Sequence, residues 1–301
     1  MNPSPLRPEG AGLGRPAAVA VVIITRDRVG ELLHTLSRLE DLPERPDVVV
    51  VDHGSSDGTA ATVRSRFPAV EILELEDDHG AAGRTLGART VEAPYVAFCD
   101  DDSWWAPGAL ARGTALLDLH PTLAVVAGRV LLGPDRLLDP ACAEMASSPL
   151  TGGPEVPGPQ VLGFVACGAI VRREAFLGVG GFHPRLGIGG EEQLLAFDLA
   201  ADGWQLVYRH DVVAYHHPSP TRDRRRRRAA QARNELWFTW LRRRPQTSLG
   251  RTLRAARAAL RDPAARTALL QAFRGIGWVV ADRRPLPEWL EAQLLQLEAR
   301  T

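Results

Sequence analysis

Lysine is missing from this sequence: all 36 basic residues are arginine. That excludes a lysine Schiff base and the lysine of a phosphate-binding P-loop. Cysteine is scarce. Cys99, Cys142 and Cys167 show neither CxxC spacing nor a dense disulfide pattern, so buried, reduced thiols are expected. No apolar run approaches the ~20 residues needed to cross a bilayer. The Pro/Gly-rich start, MNPSPLRPEGAGLGRPAA, has no apolar signal core. These absences predict a cytoplasmic protein, held at most peripherally at the inner face of the cell membrane. A surplus of charge is missing too. The 36 acidic residues balance the 36 arginines, so no whole-molecule field draws the chain to nucleic acid. A GAGLG stretch at 10–14 mimics a dinucleotide fingerprint, but it precedes the first expected strand and is discarded.

What is present is 301 residues, 45% of them hydrophobic, enough for one large domain with an extension. AVAVVIIT (18–25), DVVVVD (47–52), VEILEL (70–75) and YVAFC (95–99) are short apolar runs that predict buried strands. Between them lie helical patterns. Leu32, Leu33, Leu36 and Leu39 share a helix face, SSDGTAATVRSRF starts behind a Ser/Asp cap, and GAAGRTLGARTVE follows. The alternation predicts an α/β fold with a mostly parallel sheet, whose ligands bind at the carboxyl ends of the strands. After about residue 120 the rhythm loosens. LAVVAGRVLL (123–132) and QVLGFVACGAIVRR (160–173) read as strands, GGEEQLLAFDLAADGW (189–204) as a helix, and QLVYRHDVVAYHHPSP as short strands. From residue 222 the chain reads as helical.

Three strand ends carry polar groups: Thr25-Arg26-Asp27, Asp52-His53-Gly54 and Asp100-Asp101-Asp102. Two carboxylates about 6 Å apart repel by roughly 3 kcal/mol at an effective dielectric of 20. A divalent cation would relieve this, and oxygen ligands suit Mn²⁺ or Mg²⁺; a solvated turn is the plainer alternative. Asp52 is placed to accept hydrogen bonds from a base or ribose, or else to build a turn. Trp104 and Trp105 are expected to pack at the next helix start. Glu191 and Glu192 suit a helix N-terminus through its dipole. Arg222 and Arg224–Arg228 form a basic block ahead of Trp237, Phe238 and Trp240. This helix either lies on an anionic membrane or packs on the rest of the chain.

The strand-end segments together resemble the inverting glycosyltransferases of family 2, which have the GT-A nucleotide-sugar-binding fold. Thr25-Arg26-Asp27-Arg28 is similar to the family's first turn. Asp52 through Thr59 matches its Asp-x-Gly-Ser-x-Asp-Gly-Thr pattern. HGAAGRTLGAR places Arg84 in an arginine position, DDD resembles the Asp-x-Asp metal motif, and VRREAFLGVGGF resembles the stretch before the acceptor loop. The match spans roughly 18–220. It implies a flexible arm over 1–17, a GT-A domain over 18–220 and an Arg-rich helical extension over 221–301. It implies that Thr25, Asp27, Asp52 and Arg84 hold the nucleotide, with Asp100 and Asp101 near the ribose and sugar. Asp102 would bind Mn²⁺ or Mg²⁺, joined by His216 or its neighbour His217. Glu192, or Glu191 beside it, would be the catalytic base, where the family has Glu-Asp. The implied reaction moves a sugar from a UDP- or dTDP-linked donor to an acceptor hydroxyl, one that a lipid carries in the reading with membrane contact. A sugar nucleotidyltransferase and a non-catalytic nucleotide-binding relative are the competing readings.

Overall fold

The computed structural model describes residues 18–150, 152, 156–219 and 224–299. The expected arm over 1–17, and the side chains of Arg222 and Arg224–Arg227, lie outside the described residues. The strands are β1 (Val19–Thr25), β2 (Asp47–Asp52), β3 (Glu71–Glu74), β4 (Tyr95–Asp100), β5 (Ser103–Trp105), β6 (Leu123–Leu132), β7 (Leu137–Leu138), β8 (Ala169–Arg172) and β9 (Gln205–His216). The helices are α1 (Val29–Glu40), α2 (Thr59–Arg66), α3 (Ala82–Thr90), α4 (Ala109–Leu119), α5 (Pro140–Ala146), α6 (Arg173–Gly178), α7 (Glu191–Ala201), α8 (Arg224–Arg242), α9 (Pro245–Ala259), α10 (Pro263–Arg274), α11 (Ile276–Ala281) and α12 (Glu288–Glu298).

One sheet carries all nine strands in the order β3-β2-β1-β4-β8-β6-β9-β5, with β7 paired to β6. β1 through β4 pair in parallel, as do β6 and β9; β8 runs antiparallel between β4 and β6. The fold is α/β around a mostly parallel sheet with helices at its C-terminal side, as expected. Register aligns the strand ends that matter. Thr25 lies opposite Asp52, and Ile24 opposite Asp100. Every residue of β1 is buried, which accounts for its unbroken apolar run.

Two local expectations are corrected. Residues 160–173 do not form one long strand: a 3₁₀ turn at Ala166–Gly168 precedes the four-residue β8. Gly168 packs where a Cβ would meet Val130 Cγ2 at 2.5 Å, so the backbone presses on β6 instead of extending beside it. Residues 205–216 form a single strand with a bulge, where the partner of β6 jumps from Arg209 to Val213. Trp104 and Trp105 lie in β5, paired to β9, and Trp105 shares a core cluster with Ala109 and Leu110 at the start of α4. Trp105 is buried, and Trp104 contacts His34, Tyr215 and His217.

The C-terminal helices join the main core. Trp237, Phe238 and Trp240 are buried in the same apolar cluster as β1, β4 and α7. Trp237 Nε1 donates to the Ala272 carbonyl at 3.0 Å, and Trp240 Nε1 to Thr252 Oγ1 at 2.8 Å. Membrane contact through these aromatics is therefore corrected: their faces are spent on packing. Among the described residues no helix is long and apolar enough to cross a membrane.

Candidate active site at the strand ends

A cavity of about 760 Å³ opens over the carboxyl ends of β1 and β4. Thr25, Arg84, Asp100, Asp101, Glu191, Glu192 and His216 line it; Asp27, Asp52, Asp102 and His217 do not. The sequence reading therefore brought seven of its residues to one place.

The excluded four have other work. Asp52 Oδ1 accepts the Ser55 N–H at 3.1 Å and the Ser55 hydroxyl, which closes the turn after β2. Asp27, at φ 50°, accepts the Ser56 N–H at 2.6 Å and so ties the first turn to the second. Asp57 caps α2 through the Thr59 N–H and hydroxyl. His217 leans on Trp104, and its N–H donates to the Asp102 carbonyl at 2.8 Å.

The three aspartates separate in role. Asp100 faces the cavity and pairs with the buried Arg84. Asp101 accepts the Thr25 hydroxyl at 3.0 Å and Arg28 at 2.5 Å. Burial pushes Asp101 up to about 7 against the pull of Arg28, and Asp102 and Asp100 add to the rise. Asp102 is enclosed behind them. It accepts Arg28 at 2.8 Å and the Ser219 N–H at 3.2 Å, and its Oδ1 lies 3.1 Å from His216 Nε2. Asp102, expected as a metal ligand, is buried and does not line the cavity. Among the described residues, donor atoms of Asp100, Cys167 and His216 cluster within 4.8 Å of one another. His216 Nε2 faces both carboxylates, 3.1 Å from Asp102 Oδ1 and 3.9 Å from Asp100 Oδ2.

Arg84 is fixed by α3. Burial disfavours its charge, but Asp100, Glu191 and Glu192 outweigh burial and hold it charged. Next to it, Gly83 packs under His53: an added Cβ would meet His53 Nε2 at 2.1 Å. His53 lines the cavity beside Asp78, and burial lowers its pKa.

The start of α7 also lines the cavity. Gly187, Gly189 and Gly190 all adopt positive φ (71°, 107° and 92°) and swing the chain into the helix. Glu191 turns back to accept the Gly189 N–H. α8 clamps the same loop: Asn234 Nδ2 donates to the Leu186 and Gly189 carbonyls at 2.8 and 2.7 Å. Ala81 N donates to the Gly187 carbonyl at 3.2 Å from the other side. Burial raises both glutamates, and Glu192, facing the charge of Glu191, is pushed up to about 8.

The loop's fit gives a first prediction. Gly80 has φ 53°, and a Cβ there would lie 2.7 Å from Gly187 Cα. Gly80→Ala should cost about 1–3 kcal/mol through strain and overpacking. Urea unfolding with an unchanged slope would register it, and unchanged stability would show that the loop gives way freely.

His53 stood in the strand-end triplet Asp52-His53-Gly54, whereas Arg28, Asp78 and Cys167 were not singled out in the sequence as cavity residues. Arg28 stood inside the quoted Thr25–Arg28 motif, which was its signal. Cys167 had no local signal at all.

The chain was compared with known proteins. The model of glycosyl transferase family 2 matches residues 20–179. An N-acetylglucosaminyl-diphospho-decaprenol L-rhamnosyltransferase of Mycobacterium tuberculosis is 29% identical over 233 residues, covering 65% of this chain and 75% of the relative. The mannosyltransferase PcManGT from Pyrobaculum calidifontis, solved with GDP-Man and Mn²⁺, superposes with a TM-score of 0.58 at 19% identity. That match covers 94% of this chain and 88% of the other. TarS of S. aureus, solved with UDP, gives 0.52 at 20% identity over 72% of this chain and 65% of the other. The two structures share the fold, and the family match covers more than half of the sequence. With the strand-end cavity, its carboxylates and its buried arginine, this establishes that the chain belongs to glycosyl transferase family 2 and is a glycosyltransferase.

Proposed function

We propose that the protein transfers a sugar from a UDP- or dTDP-linked donor to an acceptor hydroxyl, with inversion and with a divalent cation. The observation that carries this reading is the company the cavity keeps. A cationic arginine, a metal-ligand cluster and a pair of glutamates of raised pKa all line it. Thr25 and Arg84 sit where a nucleoside diphosphate would lie across the strand ends. Glu192 accepts the proton of the acceptor hydroxyl. The oxygen attacks the anomeric carbon, and the bond to the diphosphate breaks with its electron pair leaving on the phosphate oxygen. One displacement inverts the centre. Arg84 offsets negative charge on that side.

The donor set fits a metal ion. A carboxylate (Asp100) and an imidazole (His216) suit Mn²⁺ better than Mg²⁺, which prefers oxygen and water. Burial holds the neighbouring Cys167 thiol well above its ordinary pKa. When bound, the ion would neutralise the leaving diphosphate as a Lewis acid.

The rhamnosyltransferase relative supports a deoxyhexose donor and a lipid-linked acceptor. Neighbours of the same fold carry different nucleotides, UDP in TarS and GDP-Man in PcManGT. In this reading the protein works in the cytoplasm, which suits three buried free cysteines.

A panel of nucleotide sugars assayed for nucleotide release with Mn²⁺, Mg²⁺ or EDTA tests the proposal. Turnover should require a cation and favour Mn²⁺; turnover undiminished by EDTA removes the metal from the reading. Because Glu192 must be ionised to act as a base, kcat/KM should rise with pH through about 8. The same shift favours the protonated form on folding. Its contribution to stability is complete below the ordinary carboxylate range and is lost as pH rises through about 8. A kcat/KM that falls across that interval would exclude Glu192 as the base.

A further inference from the structure

The C-terminal helices leave one face uncovered. α10 and α11 follow each other with only Gly275, itself in helical conformation, between them. Leu270, Phe273, Ile276 and Val280 along them are 57%, 49%, 43% and 66% exposed. At 3.6 residues per turn, Arg266, Leu270, Phe273 and Val280 fall within about 80° of one another, with Ile276 at the edge. Ala268, Ala272 and Val279 occupy the opposite, buried face. α9 repeats the pattern: Leu249, Leu253 and Leu260, at and just beyond it, follow i, i+4 and i+11 spacing on one face, all exposed.

The charge around these stripes has one sign. Residues 245–284 contain eight arginines, two aspartates and no glutamate. Arg254, Arg257, Arg261, Arg266 and Arg274 are exposed. Isolated exposed apolar residues need no explanation, but an apolar stripe edged by cations does.

We propose that this face docks on an anionic lipid bilayer. α10 and α11 lie in the interface plane, with Leu270, Phe273, Ile276 and Val280 among the acyl chains and the flanking arginines at the headgroups. The contact is not the one suggested by Trp237, Phe238 and Trp240, which are buried, and it does not depend on the proposed donor or acceptor. A second copy of the chain is a poorer occupant. A two-fold contact presents the same patch from both sides and would set these arginines against each other.

Sedimentation of the full chain with vesicles tests this, comparing phosphatidylglycerol/phosphatidylcholine mixtures with phosphatidylcholine alone. Partition should favour the anionic vesicles by about tenfold or more and weaken with added salt. The double variant Leu270→Asp, Val280→Asp should lose about tenfold or more in partition. Its circular dichroism, Tm and nucleotide release in detergent-free buffer should match the parent, since both side chains are exposed. Equal binding to both vesicle types, no binding to either, or binding that survives the double variant would overturn the proposal. So would a dimer in analytical ultracentrifugation that the variant dissolves while vesicle binding is unchanged.

Discussion

Glu192→Gln should lower turnover by roughly 10²–10⁴-fold, the ordinary worth of a general base, with little change in donor affinity. The amide keeps the size of the side chain but cannot take a proton. Glu191→Gln should behave differently. Glu191 holds the Gly189 N–H, a bond an amide oxygen can still accept, so its loss should be smaller and should fall on the loop. Steady-state kcat and KM for both variants, with bound nucleotide measured separately, distinguish the two. Collapse of turnover in Glu191→Gln with near-parental Glu192→Gln would exchange their roles. The pH profile adds a second check, because the rise through about 8 should disappear in Glu192→Gln.

The largest stability effect is expected far from the cavity. Arg243 is fully buried at the end of α8, and its Nε donates to both carboxylate oxygens of Glu291 at 2.9 and 3.0 Å. Its NH1 donates to Glu298, which Arg251 also reaches. Arg243→Met would leave the buried Glu291 without its partner, at a cost of about 3–5 kcal/mol. Pairing it with Glu291→Leu should recover much of the loss, because an apolar pair need not be solvated. Urea unfolding of the two single variants and the double variant measures the coupling. Additive losses would mean that the pair is not a unit.

The first half of the chain was readable because its strands are buried on both faces. Runs such as VAVVIIT and YVAFC carry no polar interruption, and each ends on the group that faces the ligand crevice. That brings Thr25, Asp100 and Asp101 to the cavity, while Asp102 lies outside its lining. The order within the triplet was not readable. β4 ends at Asp100, and the following turn breaks the alternation that assigns side chains to faces. Only the pairing of Asp102 with His216 and Arg28 shows that it stands behind Asp100. Cys167 reaches the same cluster from a segment that reads as strand and folds as a 3₁₀ turn, where Gly168 packs against the distant Val130. The aromatics of α8 posed a different problem. An apolar helix face looks the same whether lipid or protein covers it, and the covering residues, such as Ala272 and Val279, lie more than thirty positions away.

The loop that introduces α7 is suspended between two neighbours. α3's leading turn holds Gly187, and Asn234 of α8 holds Leu186 and Gly189. Neither neighbour touches it through the sheet. The spacing between Arg84 and the glutamate pair is therefore set like the span of a bridge, by abutments supplied from residues 80–84 and 233–234. Exchanging this loop and α7 between relatives, as in a chimera that borrows residues 183–201 alone, would carry the roadway without its abutments. A working graft needs the matching stretch of α8 as well.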